Sequence, residues 1–252
     1  MTEGKGPGFR VQRPGEPSAV VASPVQPVAP ELAVRHLGRQ PYQPVWAAMK
    51  AFTDGRDAQT GDELWLVEHD PVFTQGLAGR PEHVLNPGAI PVVQTDRGGQ
   101  VTYHGPGQVV MYPLLDIERI RCGVRCLVDR LEQAVIDVLD GIGAVGVRRE
   151  GAPGVFVGQA KIASIGLKVR RGCTYHGLAF NIAMDLSPFS LINPCGYAGQ
   201  QMTDLRSLVE EPDWDEAARR LVTSFCRLMG YHACWEHVSS ADRQNFTGAD
   251  RS

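Results

Sequence analysis

Val155-Phe156-Val157-Gly158-Gln159-Ala160-Lys161-Ile162-Ala163-Ser164-Ile165-Gly166-Leu167-Lys168-Val169-Arg170 reads as two strands folded back on each other around Gly158-Gln159-Ala160. Both arms are rich in β-branched and apolar residues, and the glycine supplies the turn. Residues 174–182 form another such run, with only a short connection before it. No helix fits into that gap, so antiparallel pairing is expected here and a parallel crossover is not. Residues 64–68, 92–95 and 108–112 are further runs bounded by Gly or Pro. Three other stretches carry a helical period instead. Val45, Ala48, Met49 and Phe52 repeat behind Pro44, and Val124, Leu127, Val128, Leu131, Val135, Val138 and Leu139 repeat up to Gly141. The third opens at Asp213 with Glu216 three residues on, a capping-box variant, and runs to Gly230. The expected class is α+β, a mixed, largely antiparallel sheet with packed helices.

Working outward, residues 1–30 hold six prolines and four glycines, too little apolar matter to offset the entropy of ordering. Residues 1–30 are therefore expected as a disordered tail, 31–238 as one catalytic domain and 239–252 as a polar tail. The 25 Lys and Arg against 28 Asp and Glu leave a net charge of −3, which excludes a dominant nucleic-acid footprint. The chain has no apolar run long enough for a membrane span, and its first residues lack the apolar core of a secretory leader. A cytoplasmic protein without membrane or nucleic-acid partners is expected. The cysteines are Cys122, Cys126, Cys173, Cys195, Cys226 and Cys234, with no CxxC pair, so neither zinc nor a structural disulfide is expected.

Alternation along residues 161–169 sets Lys161 on the side of Ala163, Ile165 and Leu167. Such a lysine is either a desolvated base or anion partner, or a strand-end residue snorkelling to water. On the next strand His176 shares a face with Thr174, Leu178 and Phe180, as a catalyst or as a satisfied core residue. Cys195 sits in the turn Asn193-Pro194-Cys195-Gly196, where backbone amides can approach a substrate. It is a nucleophile if a nearby cation stabilises its thiolate, and otherwise an inert loop residue. Arg97-Gly98-Gly99-Gln100-Val101-Thr102-Tyr103-His104-Gly105-Pro106-Gly107-Gln108 has two glycine-rich turns flanking a short strand. It suits an elongated ligand or phosphate, or is a plain hairpin; its glycine spacing fits neither the P-loop nor the dinucleotide fingerprint.

These blocks occur together and in order with Glu63-Leu64-Trp65-Leu66-Val67-Glu68-His69 and Pro71-Val72-Phe73-Thr74-Gln75-Gly76. The series closely resembles the octanoyltransferases of lipoate biosynthesis, the lipoyl(octanoyl) transferases, over roughly residues 32–208. The resemblance implies a fold like the catalytic domain of biotin and lipoate protein ligases. It implies Cys195 as the acyl-thioester nucleophile and Lys161 as the residue lowering its pKa. The acyl pocket is implied in three segments: Arg97, Gly98, Gly99, Gln100, Val101, Thr102, Tyr103 and His104; Ser164, Ile165 and Gly166; Gly177, Leu178 and Ala179. The implied reaction moves an octanoyl or lipoyl group from octanoyl-acyl carrier protein to a lysine, with no cofactor and no metal. The implied acceptors are lipoyl domains of 2-oxoacid dehydrogenase complexes and the glycine-cleavage H protein. Transfer to an amine also needs a proton acceptor, for which Lys161 comes first and His104 and His176 follow.

Overall fold

The computed structural model describes residues 1–2, 29–196, 199–236 and 238, with Cys195 described by its backbone. The two expected tails therefore lie almost wholly outside the described residues. Eight strands form the main sheet in the order β11-β1-β2-β6-β10-β9-β8-β7. They are β1 (Glu31–Gln40), β2 (Glu63–His69), β6 (Gln108–Leu114), β7 (Gly146–Val147), β8 (Gly154–Val157), β9 (Ala160–Arg170), β10 (Cys173–Asn181) and β11 (His232–Glu236). A smaller sheet, β4-β3-β5, is built from β3 (Val72–Gln75), β4 (Val92–Gln94) and β5 (Val101–His104). Pairing is antiparallel from β2 through β7 and parallel where β1 meets β2 and β11. The α+β, mixed and largely antiparallel architecture is thus present, including the β8–β9 hairpin around Gly158.

The helices follow the periodicity of their residues: α1 (Tyr42–Gly55), α2 (Val124–Asp140) and α3 (Trp214–Met229). Asp213 caps α3 by accepting from the Glu216 amide at 2.7 Å, and Gly230 ends it in the left-handed region at φ 74°. Helices α2 and α3 cover one sheet face, packing Leu127, Leu131, Leu221 and Phe225 onto Leu64, Met111, Leu178 and Phe180. Helix α1 covers the other, with Val45 and Met49 against Val67, Val110, Tyr112 and Ala179. The small sheet packs Phe73, Val101 and Tyr103 against Phe189 and Ile192. The closing strand β11 is tied back by Arg35 to Glu236 at 3.1 Å, and the preceding Tyr231 hydroxyl donates to Asp62 at 2.5 Å.

Two expectations change. Cys122 and Cys126 are joined in a disulfide, with Cα atoms 5.5 Å apart. The lack of a second cysteine pair argued against a zinc site but not against this bond: Cys126 lies in the first turn of α2 and Cys122 just before it, four residues apart on one side. The second change is at His176, whose backbone lies in the left-handed region at φ 59°. That breaks the strand alternation. Leu178 and Phe180 face α2, whereas the His176 ring lies against Tyr42 and Trp46 of α1.

Candidate active site

A cavity of about 380 Å³ opens beside β9 and β10. The Arg97 block forms its upper wall, because two glycines let the backbone come close. A Cβ on Gly76 would meet the Gly99 carbonyl at 2.3 Å, and one on Gly166 would meet the Gly98 carbonyl at 2.8 Å. The Gly98 amide donates to the Leu167 carbonyl at 2.9 Å, which seats the loop on β9. Arg97 is almost wholly buried and donates to the carbonyl of Thr74 on β3 at 2.5 Å and to the carbonyls of Gly98 at 2.9 Å and Gln100 at 2.7 Å in its own loop. It clamps the wall.

The lining takes in residues 97–102, His104, Lys161, 164–166 and 177–179. Tyr103 is the exception in its block. Strand alternation turns its ring the other way, to within 5.5 Å of the Phe73 and Phe189 rings. Sequence reasoning missed Tyr42, Val110, Tyr112, Val124, Val128 and residues 151–153, which line the cavity too. It also missed Asp96, whose carboxylate accepts from His176 Nε2 at 2.9 Å and Trp46 Nε1 at 3.0 Å. Its position directly before Arg97 was the available signal.

Lys161 is 1 % exposed and does not snorkel. Its Nζ donates to the Pro153 carbonyl at 3.0 Å and lies 5.1 Å from the Phe156 ring centroid. The turn carrying Cys195 is tethered at both ends. The Asn193 amide donates to the His83 carbonyl at 2.8 Å, and further on Lys161 exchanges backbone bonds with Gln201 (2.8 Å) and Thr203 (3.0 Å). A Cβ on Gly196 would lie 3.1 Å from Gln100 Cγ, so this turn abuts the Arg97 block.

The other cysteines are poorly placed for thiolate chemistry. Cys122 and Cys126 are bonded to each other, burial raises the Cys173 thiol, and burial pushes Cys226 up to about 11. Cys234 lies on β11, at the opposite edge of the sheet from β9.

The two histidines at the cavity, His104 and His176, are buried and held neutral. Desolvation lowers His176, although Asp96 opposes the shift, and lowers His104 well below its ordinary value, aided by nearby His69. His104 donates through Nδ1 to Gln108 Oε1 at 2.8 Å and meets the Thr74 hydroxyl through Nε2 at 3.2 Å. Both ring nitrogens of each are engaged, which leaves Lys161 as the amine facing the cavity. Among the described residues no group of three or more His, Cys, Asp or Glu is disposed to hold a metal, and no helix is long and apolar enough to cross a membrane.

This cavity, with buried Lys161 in its lining, lies on a fold shared with solved lipoate protein ligases. A chain from a structural analysis of a bi-partite lipoate protein ligase and its E2 lipoyl domain of Thermoplasma acidophilum superposes with TM-score 0.65 at 15% identity, covering 86% of this chain and 90% of that one. Lipoate-protein ligase A bound with ATP superposes with TM-score 0.67 at 14% identity, covering 86% and 92%. The lipoyl protein ligase A/B catalytic domain model matches residues 41–226. Within that class, an octanoyltransferase of Shewanella amazonensis is 54% identical over 214 residues, 85% of this chain and 99% of its own. One of Xanthomonas campestris is 60% identical over 214 residues, covering 84% and 92%. The chain belongs to this octanoyltransferase family and is an acyltransferase.

Proposed function

We propose that the cavity holds an octanoyl chain with its carbonyl carbon at the Lys161 end, and that Cys195 carries the chain as a thioester. The buried Lys161 amine at the end of an apolar slot carries this reading. Seven carbons beyond the carbonyl, at about 0.8 kcal/mol per buried CH₂, supply about 6 kcal/mol of holding energy. In the first half-reaction the Cys195 thiolate, stabilised by the Lys161 ammonium, attacks the octanoyl thioester of acyl carrier protein. The carrier's sulfur leaves and takes up a proton. One thioester replaces another, so no ATP is consumed. In the second, the ε-amine of a lipoyl-domain or H-protein lysine attacks the acyl-enzyme. Lys161, which releases its own proton to solvent once the thiolate charge beside it is consumed, takes up the proton of the attacking amine; an amide forms and the Cys195 sulfur leaves as the thiolate. The acidic carrier meets a surface on which two arginines near the β8–β9 hairpin are already paired, Arg148 with Glu132 at 3.1 Å and Arg170 with Asp54 at 2.8 Å.

Intact mass spectrometry after mixing with octanoyl-acyl carrier protein tests the reading. An octanoyl increment, removable by hydroxylamine and mapped to the Cys195 peptide, is expected. Label on Cys173 or Cys234, or a fully active Cys195→Ala variant, overturns it.

A further inference from the structure

Strand register fixes distances along the slot. Gly154 pairs with Ser164, and a Cβ on Gly154 would lie 3.4 Å from Lys161 Cε, so the amine stands level with Ser164. His176 pairs with Leu167, three residues further along β9, which at about 3.3 Å per residue is about 10 Å. Seven zigzag carbon–carbon bonds of about 1.5 Å span about 9 Å, the extent of an extended octanoyl chain. Between the two levels Gly166 faces Gly177, a pair that adds no side chain to the path.

At the far level the slot meets a hydrogen-bonded chain. A carboxylate only accepts, so the proton on His176 Nε2 goes to Asp96, and Nδ1 is left to accept from the Tyr42 hydroxyl at 3.4 Å. Asp96 is held by Trp46 and by the Tyr175 hydroxyl, and the Tyr42 ring stacks on His104 with centroids 5.8 Å apart. His176 is 1 % and Tyr42 4 % exposed. The left-handed backbone at His176 is a conformation a non-glycine residue keeps only where its surroundings enforce it.

We propose that the Asp96–His176–Tyr42 chain is the end stop of the acyl slot and sets its preference for eight carbons. The inference rests on octanoyl lying with its carbonyl at Lys161. A longer chain must displace Tyr42 from His176, leaving buried polar groups unpaired. A shorter one leaves the far level empty.

The test measures kcat/KM for hexanoyl, octanoyl, decanoyl and dodecanoyl thioesters of phosphopantetheine, with an isolated lipoyl domain as acceptor. Tyr42→Ala should raise the decanoyl-to-octanoyl ratio about tenfold, the scale of discrimination by one or two methylenes in an apolar pocket. Tyr42→Leu, which keeps a large apolar side chain in the first turn of α1, should move the ratio the same way by less. Val110→Ala, level with Ser164 through Ala179, widens the slot without lengthening it and should leave the ratio unchanged. An unchanged ratio in Tyr42→Ala or Tyr42→Leu with wild-type melting overturns the end stop, as does an equal shift in Val110→Ala. Failure of wild type to transfer octanoyl at all would count against the acyl-transfer reading instead.

Discussion

Acidification should destabilise this protein before most of its carboxylates titrate, because buried histidines must then take up protons. His69 is fully buried, its Nδ1 donating to the Gln40 carbonyl at 3.0 Å and its Nε2 accepting from the Tyr112 hydroxyl at 2.7 Å. A second proton would turn Nε2 from acceptor to donor and force the Tyr112 hydroxyl to redirect its own proton, and desolvation lowers the ring's pKa from 6.5 to about 4. The unfolded chain binds that proton near pH 6.5 and the native protein near pH 4, so stability is full above pH 6.5 and falls as pH drops between these values. The shift corresponds to about 3 kcal/mol below pH 4, of which about 2 kcal/mol is gone by pH 5. For a domain of this size that is about 4–8 °C in Tm. His104 and His176 act in the same direction. Asp96, held far below the usual carboxylate range by His176 and Tyr175, contributes only at more acid pH. Thermal melts followed by circular dichroism from pH 8 to pH 5, on wild type and His69→Gln, test this. The variant should lose one proton's worth of slope between pH 6.5 and 5. A flat Tm over that window in wild type, or identical slopes in the two proteins, refutes the reasoning.

Lys161→Met should abolish both half-reactions, whereas Lys161→Arg should keep acylation better than transfer, since guanidinium retains charge but does not release its proton; single-turnover rates decide it. Gly177→Ala sets a Cβ 2.1 Å from the Met111 carbonyl and should cost about 1–3 kcal/mol, read by urea titration, because backbone gives way poorly. Gly166→Ala presses on the Gly98 carbonyl and should raise KM for the acyl donor more than it lowers Tm. Reducing the Cys122–Cys126 disulfide frees a loop of about five residues, which the chain-entropy model values at about 2 kcal/mol; Tm with and without dithiothreitol should differ by several degrees.

The three helices were legible because each presents an apolar stripe with its own start and stop residues, as with Asp213 and Gly230. The hairpin and β10 were legible from strand runs and short connections. Strand β1 was not, although Leu32 and Val34 alternate. Its register shifts between His36 and Arg39, so that Leu37 packs with α1 while Leu32 and Val34 pack towards α2 and α3. A single alternation never emerges from such a strand. Strand β11 is mostly exposed and carries no apolar stripe at all. In the site, Lys161 and the Arg97 block stood out through local pattern. The Asp96–His176–Tyr42 chain joins residues 80 and 134 positions apart, and a lone aspartate or tyrosine carries no local mark of such a partner. The His176 face was misjudged because alternation assumes extended backbone.

The parallel pairing of β1 with β11 sets an order on synthesis. Residues 31–35 leave the ribosome early, yet their outer neighbour, residues 232–236, is about 200 residues behind. At about 5–20 residues per second the wait is about 10–40 s, during which one side of β1 offers an unpaired row of amides and carbonyls. The strand meets that interval with Arg35, His36 and Arg39 along its length, charge and bulk that discourage a stray strand from adding on. When β11 arrives, the Arg35–Glu236 ion pair reuses one of those guards as a latch, so the residue that keeps the nascent edge soluble also closes the finished sheet.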